Sequence, residues 1–342
     1  MKNKLSACVA IAAIALLHAT STAHAQKADP AEVEKHIAIA TSAAKSDLLG
    51  PLSLCQTATP KPAPSFMDNY RAMLKEPALE PMQVMDELYF LGARWSTAYA
   101  IKTAAGIIII DAMDNADEAE KYIEGGLRKL GLDPADIKYV VVSHAHGDHY
   151  GGAVYLKQKF NPRIVMSEID WKTLEQAQRD PLFGTKRNPL FGEPPQRDMA
   201  VNDGDTLQLA GTALKFYVIP GHTLGTLATV FTVHDKSEPH RAVAWGGTAY
   251  NFGPLRDRLQ IYSDTTVKYR NVLKQESTDI FLSNHTSYDD AVPKMAALKD
   301  RKPGEPNPFV VGQDAVQRFL TVLGECALAT KASIGDDTPG VK

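Results

Sequence analysis

A cluster of three histidines and one aspartate constrains this chain more than any other feature of its sequence. It lies in residues 143–149, Ser-His-Ala-His-Gly-Asp-His, directly after the apolar run at 139–142. Imidazole nitrogens and carboxylate oxygens are the donors that zinc prefers when no thiolate is present, and a catalytic zinc keeps three protein ligands and one exchangeable water. One open ion therefore cannot use all four groups. Histidines two positions apart can converge on one ion while the following Asp-His pair faces another, so the spacing predicts two metals.

Two further histidines stand where apolar segments give way to loops. His222 follows the strand-like segment 214–219, and His285 follows the apolar residues 280–282. Ligands and catalytic groups gather at such strand ends on rigid α/β scaffolds. Either histidine taken alone is also explained as a solvated or hydrogen-bonded structural residue. Taken together with the cluster, the two complete the ligand set of a binuclear zinc site.

The order and spacing of these motifs resemble those of the metallo-β-lactamase superfamily, over residues 81–290. The shared segments are His-Ala-His-Gly-Asp-His at 144–149, Gly-Gly at 151–152, Pro-Gly-His-Thr at 220–223, and His285. Within the superfamily the chain is most similar to the third subclass of zinc β-lactamases, which carries no zinc-bound cysteine. Thr248, in Trp-Gly-Gly-Thr-Ala at 245–249, stands where other subclasses place a thiolate and many related hydrolases a bridging aspartate. This departure removes a protein bridge between the metals.

The resemblance implies a cofactor of two Zn²⁺ ions and assigns their ligands. The first ion is held by His144, His146 and His222, and the second by Asp148, His149 and His285. A metal-bound hydroxide is then the nucleophile, and Asp148 is the catalytic residue that orients it. Asp111, which ends the isoleucine run at 107–110, matches an aspartate of the superfamily at a strand end. We expect Asp111 to contact one of the metal ligands.

The implied activity is a zinc-dependent hydrolase that opens a cyclic amide of a small molecule, with a β-lactam as the leading substrate. A β-lactam carries a carboxylate that needs a donor or a cation. Thr248, Tyr250 and Asn251 occupy the stretch that serves this purpose in the resembled subclass, and Arg256 and Arg258 follow, either to meet an anion or to face water. The stretch lacks the serine pattern of that subclass. A dizinc lactonase, thioesterase or other ester hydrolase of the same superfamily therefore stays open as the alternative.

Aromatic residues near the predicted site allow two interpretations each. Trp95, which follows the strand-like segment 88–91, stands either at the mouth of the site or in ordinary packing. Phe183 and Phe191 lie in a near-repeat, Asp-Pro-Leu-Phe-Gly and Asn-Pro-Leu-Phe-Gly, within the loop 179–197. This loop either forms a hydrophobic lip over the substrate or is a surface loop that its phenylalanines attach to the core.

Short apolar segments alternate with helical ones from residue 82 onward, which indicates an α/β fold. The predicted strands are 82–85, 88–91, 97–102, 106–110, 139–142, 164–166, 206–209, 214–219, 228–233 and 242–245. The predicted helices are 116–130, 150–160 and 168–178. The resemblance implies an αββα four-layer sandwich, in which helices flank two mixed sheets. The two predicted half-sheets, each followed by helices, match this fold. Residues 81–335 are the expected catalytic domain, with the site at the edge where the sheets meet.

The ends of the chain carry separate predictions. Residues 1–25 have the charged start, apolar core and small-residue cleavage site of a secretory signal, with cleavage after Ala25, so we expect a periplasmic or secreted protein. The apolar core is shorter than the roughly 20 residues that span a membrane. Residues 26–80 form a helical, then proline-rich extension, and residues 336–342 a frayed tail. Cys55 and Cys326 remain in the mature chain, either as a disulfide or as two buried thiols.

The charge of the chain argues against nucleic-acid binding. The formal net charge is −3 at pH 7, and it becomes more negative when Lys2 and Lys4 leave with the signal. The sequence contains no basic run with interleaved aromatic residues. A small-molecule substrate is the expected partner.

Overall fold

A computed structural model describes residues 27–58, 68, 72–73, 75–179, 188–250 and 252–335. The predicted signal segment at 1–25 and the predicted tail at 336–342 lie outside these residues. Among the helices described, none is long and apolar enough to cross a membrane.

The first sheet has seven strands that lie side by side in chain order. They are β1 Met82–Gln83, β2 Leu88–Phe90, β3 Tyr99–Thr103, β4 Gly106–Ile110, β5 Ile137–Val141, β6 Arg163–Ser167 and β7 Met199–Val201. Strands β1 to β4 pair antiparallel, and β4 to β7 pair in parallel. Strand β4 is apolar throughout because both faces are covered: Ile108 and Ile110 face the second sheet, and Ile107 and Ile109 face helices.

The second sheet has five strands in the order β12-β11-β10-β9-β8. Their bounds are β8 Thr206–Leu209, β9 Thr212–Val218, β10 Leu227–Asp235, β11 Glu238–Trp245 and β12 Ile280–Ser283. Strand β12 runs parallel to β11, and the other neighbours are antiparallel. Both sheets are therefore mixed, as the sequence analysis predicts.

Helices cover the outer faces of both sheets. They are α1 Pro30–Ala44, α2 Leu49–Leu52, α3 Ala116–Glu118, α4 Gly125–Lys129, α5 Gly147–Tyr150, α6 Ala153–Phe160, α7 Glu168–Gln178, α8 Arg256–Gln275, α9 Thr286–Asp289, α10 Ala291–Lys299 and α11 Gln313–Ser333. One apolar cluster fills the space between the sheets, a second lies between the first sheet and its helices, and a third lies under α1, α8 and α11. This arrangement confirms the αββα sandwich.

Some elements differ from the prediction for identifiable reasons. The helix predicted at 116–130 contains a π-helical segment, Ala119–Glu124, between α3 and α4. The helix predicted at 150–160 begins at Ala153, and Tyr150 instead ends α5. Between the two helices, a Cβ atom on Gly151 or Gly152 would collide with the carbonyl oxygen of Asp114 or Ala112 in the loop after β4. Strand β7 and helix α8 were not predicted. The buried side of α8 includes tyrosine, serine and threonine side chains, so apolar residues do not recur at the spacing that predicts a helix.

The N-terminal extension packs on the last helix of the chain. His36 of α1 lies 2.6 Å from Glu325 of α11, and Asp47 forms a bidentate ion pair with Arg318. Cys55 and Cys326 form a disulfide that joins residues 271 positions apart. The disulfide interpretation of the two cysteines therefore holds, and the extension is covalently attached to the layer of helices over the second sheet.

Replacing both cysteines by serine should lower the free energy of unfolding by roughly 2–5 kcal/mol, because the disulfide restricts the unfolded chain. Denaturant titration of the wild type and of the double variant, Cys55→Ser with Cys326→Ser, without reductant measures this difference. In a reducing buffer the two proteins should unfold at closely similar denaturant concentrations. A large difference that persists there would show that burial of serine, and not loss of the disulfide, causes the change.

Candidate metal centre

Four strands end at one edge of the sandwich and deliver the predicted site residues to it. In the first sheet β4 leads into Asp111 and β5 leads into the histidine cluster at 143–149. In the second sheet β9 leads into His222 and β12 leads into His285. The six residues predicted as ligands come together here in two groups of three. Within each group the donor atoms lie within 4.8 Å of one another.

The first group has the dimensions of a zinc site. His144 Nε2 lies 3.1 Å from His146 Nδ1, and His222 Nε2 lies 2.9 Å from each of these two atoms. Three nitrogens around a tetrahedral zinc, at about 2.0–2.1 Å from the ion, are about 3.4 Å apart, so a small opening of the group admits the ion. The other nitrogen of His222, Nδ1, donates to the Ala249 carbonyl at 2.7 Å. This bond fixes the tautomer that presents the lone pair of Nε2 to the site.

The second group contains Asp148, His149 and His285. Asp148 Oδ2 lies 3.3 Å from His149 Nε2 and 3.7 Å from His285 Nε2. His285 Nδ1 donates to the Trp95 carbonyl at 2.9 Å, which directs Nε2 into the site. A carboxylate with two imidazoles is a donor set that suits zinc. The residues of both groups therefore fit the metal that the sequence predicts.

Asp111 contacts a predicted ligand, as expected. Its Oδ2 lies 3.0 Å from His149 Nδ1, although the ring N–H does not point directly at that oxygen, so the contact is an ion pair without good hydrogen-bond geometry. Asp111 also accepts hydrogen bonds from the Ser143 backbone N–H at 2.7 Å and from its hydroxyl at 2.9 Å. The backbone of Asp111 is left-handed, with φ of 60°, a conformation that persists where the surroundings over-determine it. Asp111 thus ties the end of β4 to the histidine cluster.

Burial keeps most of the imidazoles neutral. It lowers the pKa of His146 and of His285 to about 4, and it holds the pKa of His144 and His222 well below the usual value. Neutral imidazoles offer the lone pairs that a metal requires. For His149 burial acts in the same direction, but Asp148 and Asp111 outweigh it and raise the pKa.

The predicted substrate contacts need correction. Thr248 is fully buried and its hydroxyl lies 3.1 Å from Ser283 Oγ. The Tyr250 hydroxyl donates to the Leu323 carbonyl of α11, and its ring packs on Tyr262. Both hydroxyls are therefore engaged inside the protein, and neither faces a substrate carboxylate. Asn251 lies outside the described residues.

The two arginines that follow lie in different surroundings. Arg256 donates to the Lys331 and Ile334 carbonyls, so its role is to attach α8 to the end of α11. Arg258 donates to the Gly221 carbonyl at 3.3 Å, next to His222, and its guanidinium lies 5.5 Å from the centre of the Phe252 ring. Of these two arginines, Arg258 is the one beside the metal centre.

Two aromatic residues border the site. The Trp95 ring is tilted against the His285 ring, with centroids 4.9 Å apart, so Trp95 lies beside the second group. Phe191 contacts the histidine cluster itself: a Cβ atom on Gly147 would lie 2.5 Å from the Phe191 side chain. Both interpretations of the loop are consistent with this contact. Phe183, the other phenylalanine of the near-repeat, lies outside the described residues.

Comparisons with known proteins agree with this architecture. Residues 91–237 match the family described as the metallo-β-lactamase superfamily. The structure is similar to subclass B3 metallo-β-lactamase BJP-1 of Bradyrhizobium japonicum, with a TM-score of 0.61 and 29% identity over 71% of this chain and 90% of that one. It is also similar to metallo-β-lactamase FEZ-1 from Legionella gormanii, with a TM-score of 0.61 and 25% identity over 71% of this chain and 92% of that one.

Similar curated sequences include hydroxyacylglutathione hydrolases. A hydroxyacylglutathione hydrolase of Rhodopseudomonas palustris is 34% identical over 41% of this chain and 43% of its own length. Hydroxyacylglutathione hydrolase GloC of Haemophilus influenzae is 30% identical over 52% of this chain and 79% of its own length. The match thus spans less than half of the first relative and most of the second. The chain belongs to the metallo-β-lactamase superfamily, and the described residues include two groups of histidine and aspartate side chains that could hold metal ions.

Asp111→Asn should weaken metal binding by the second group about 10–100-fold, the usual effect of losing a partner of a metal ligand. The variant keeps one oxygen for the Ser143 backbone N–H but can place an amide N–H where an oxygen now faces His149. Competition with a chromogenic zinc chelator measures the affinity, and Asp300→Asn on the exposed surface is the control. Unchanged binding by Asp111→Asn would contradict this role for Asp111.

Proposed function

We propose that the protein binds two Zn²⁺ ions and hydrolyses the cyclic amide of a β-lactam. The observation that carries this proposal is the ligand set itself: two adjacent groups, one of three histidines and one of an aspartate with two histidines, with Thr248 buried where many related hydrolases carry a bridging carboxylate. Similarity to a subclass B3 β-lactamase over 90% of that enzyme's length supports the same substrate class.

The side chains around the site have separable tasks in this reaction. When bound, zinc ions generate a nucleophile from water at neutral pH and stabilise the negative charge that develops in the transition state. The Asp148 carboxylate, held between His149 and His285, is placed to accept a hydrogen bond from the attacking water and so to orient it. Trp95 packs on His285 of the second group and Phe191 packs on Gly147 between the two groups, so both rings are placed to shield the reacting bond from bulk water.

Substrate recognition is proposed to use a cation on one side and a cavity on the other. Because the Thr248 and Tyr250 hydroxyls are engaged internally, Arg258 beside His222 is the group placed to meet the substrate carboxylate. On the side of Trp95 a cavity of about 300 Å³ lies between the loop after β2, the start of α3 and the N-terminal extension. Its volume suits a substituent carried by the amide.

A hydrolysis panel tests the substrate class. It consists of benzylpenicillin, nitrocefin, a carbapenem, an acyl-homoserine lactone and an S-hydroxyacylglutathione, each with added zinc and after chelation. We expect turnover of at least one β-lactam that chelator abolishes and zinc restores. If only the thioester or the lactone is hydrolysed, and only with zinc, the proposed β-lactam substrate is wrong, while the proposed zinc-dependent hydrolase activity is supported.

Hydrolysis of a thioester is the second candidate because one specific observation favours it. The match to hydroxyacylglutathione hydrolase GloC covers 79% of that enzyme at 30% identity. An activated water attacks a thioester carbonyl by the same chemistry, so the metal centre alone does not distinguish the two substrates. The S-hydroxyacylglutathione in the hydrolysis panel distinguishes the two substrates.

Asp148→Ala should reduce turnover of whichever substrate the panel identifies by at least about 10²-fold, because the attacking water loses its orienting carboxylate. The variant should remain folded and retain the metal of the first group. Circular dichroism and elemental analysis check both points, and Asp300→Ala on the exposed surface is the control. A folded Asp148→Ala protein with wild-type turnover would rule out this mechanism.

We also propose that the protein is exported to the periplasm or secreted, with residues 1–25 as a cleaved signal. The disulfide between Cys55 and Cys326 supports this proposal because disulfides persist in oxidising compartments. N-terminal sequencing of the protein from a bacterial periplasmic fraction tests it, and a chain that begins at Met1 would contradict it.

A further inference from the structure

Asp170, near the start of α7, connects two separate metal-binding loops through one carboxylate. Its Oδ2 accepts hydrogen bonds from the Ala145 backbone N–H at 2.9 Å and from the Thr223 hydroxyl at 2.7 Å. Its Oδ1 accepts from the Gly225 backbone N–H at 3.1 Å. Ala145 lies between His144 and His146, and Thr223 directly follows His222. Each of the three histidines of the first group is thus adjacent in sequence to a residue that donates a hydrogen bond to Asp170.

The chemistry at this position requires a carboxylate. Asp170 is fully buried, and a buried charge is costly unless it is hydrogen-bonded. All three partners are donors, so the central group must accept three times, and an asparagine would offer a single acceptor oxygen. The start of α7, an eleven-residue helix, adds a favourable field for the negative charge.

The loop that carries His222 is shaped to reach Asp170. A Cβ atom on Gly225 would lie 2.6 Å from Asp170 Oδ1 and 2.4 Å from Ser167 Oγ, so only glycine permits this approach. The second group has different supports, since His149 faces Asp111 and His285 donates to the Trp95 carbonyl. Among the described residues, the hydrogen bonds that Asp170 accepts from the metal loops come from residues next to, or near, ligands of the first group.

We propose that Asp170 is a positioning residue that pre-arranges the three nitrogens of the first group, so that this group binds its metal more tightly than the second group binds its own. The inference rests on the proposal that the centre holds two zinc ions. The hydrogen bonds to Asp170 hold the two backbone segments that carry the three histidines in fixed positions relative to each other. Preorganisation of this kind increases affinity because less conformational freedom is lost on binding.

The test measures each group by itself. His285→Ala removes a ligand of the second group and leaves the first group complete. His222→Ala removes a ligand of the first group and leaves the second group complete. Asp170→Asn is added to each of these variants, and zinc affinity is determined by chelator competition. We expect Asp170→Asn to weaken binding about 10–100-fold in the His285→Ala protein and to leave the His222→Ala protein nearly unchanged. Equal weakening in both, or no change in the first, would overturn the proposal.

Three further variants separate positioning from stability. Thr223→Val removes one of the three bonds and should give a smaller loss of affinity in the His285→Ala protein, which keeps the proposal testable even if Asp170→Asn folds poorly. Asp198→Asn is the matched control, because Asp198 accepts from the Ile164 backbone N–H and from Lys157 but contacts neither metal loop. Gly225→Ala should reproduce the loss of affinity by displacing the loop of His222. Wild-type affinity in both Thr223→Val and Gly225→Ala would contradict the proposal.

These measurements also separate the proposal from the proposed function. If the unmodified protein binds a single zinc, the two-ion mechanism fails, but the effect of Asp170 on the first group is still measured. If the panel identifies no substrate, the affinities remain informative because they do not depend on turnover. Cobalt substitution adds a spectroscopic readout, since a change in the cobalt absorption of the first group reports altered geometry even where the affinity changes little.

Discussion

The packing of two sheets face to face is the constraint on which the metal centre depends. Each sheet contributes only part of the ligand set: β5 supplies the cluster at 143–149, and β9 and β12 supply His222 and His285. The space between the sheets is filled by large side chains such as Phe216, Phe231 and Leu282. Burying each of them contributes about 1.5–3 kcal/mol. The core that holds the sheets in register therefore also fixes the distances within the site.

The interior of the site is built to favour a cation without carrying excess negative charge. The first group consists of neutral imidazoles, whose low pKa follows from burial. The carboxylate of Asp148 belongs to the second group itself, and Asp111 lies behind it near His149. The first group contains no carboxylate of its own, and Asp170 accepts hydrogen bonds from donors beside it. The two groups thus differ in the charge of their side chains. This asymmetry would remain even if the two sites had the same geometry.

The sequence predicts which residues meet at the site because most of them are close together in the chain or follow a recognisable strand. His144 to His149 form one continuous motif, and His222, His285 and Asp111 all follow apolar segments that the pattern marks as strands. The mixed αββα sandwich follows from the same alternation together with the family resemblance. Most strand bounds agree within a few residues, and β4 agrees at both ends.

The contacts that sequence could not predict depend on distant partners. Thr248 and Tyr250 occupy the expected stretch, but their hydroxyls bond Ser283 and Leu323, which are 35 and 73 positions away. Asp170 carries no motif, since two of its three partners are backbone N–H groups 25 and 55 positions away. Every residue except proline has a backbone N–H group, so the residue type does not show which of these groups donates to Asp170. A single sequence shows which groups can bind a metal but not which buried acceptor holds them in place.

Gly147 joins the segment that carries Phe191 to the metal centre by direct packing. It is the single residue between His146 of the first group and Asp148 of the second, and the Phe191 side chain lies directly on it. The segment that carries Phe191 is also bonded to the loop after β4, through the Asn115 side chain and the Asp114 carbonyl. The Phe191 ring therefore packs on the peptide that joins the two groups of candidate ligands. Any side chain at position 147 would have to displace either this ring or the loop that carries both groups.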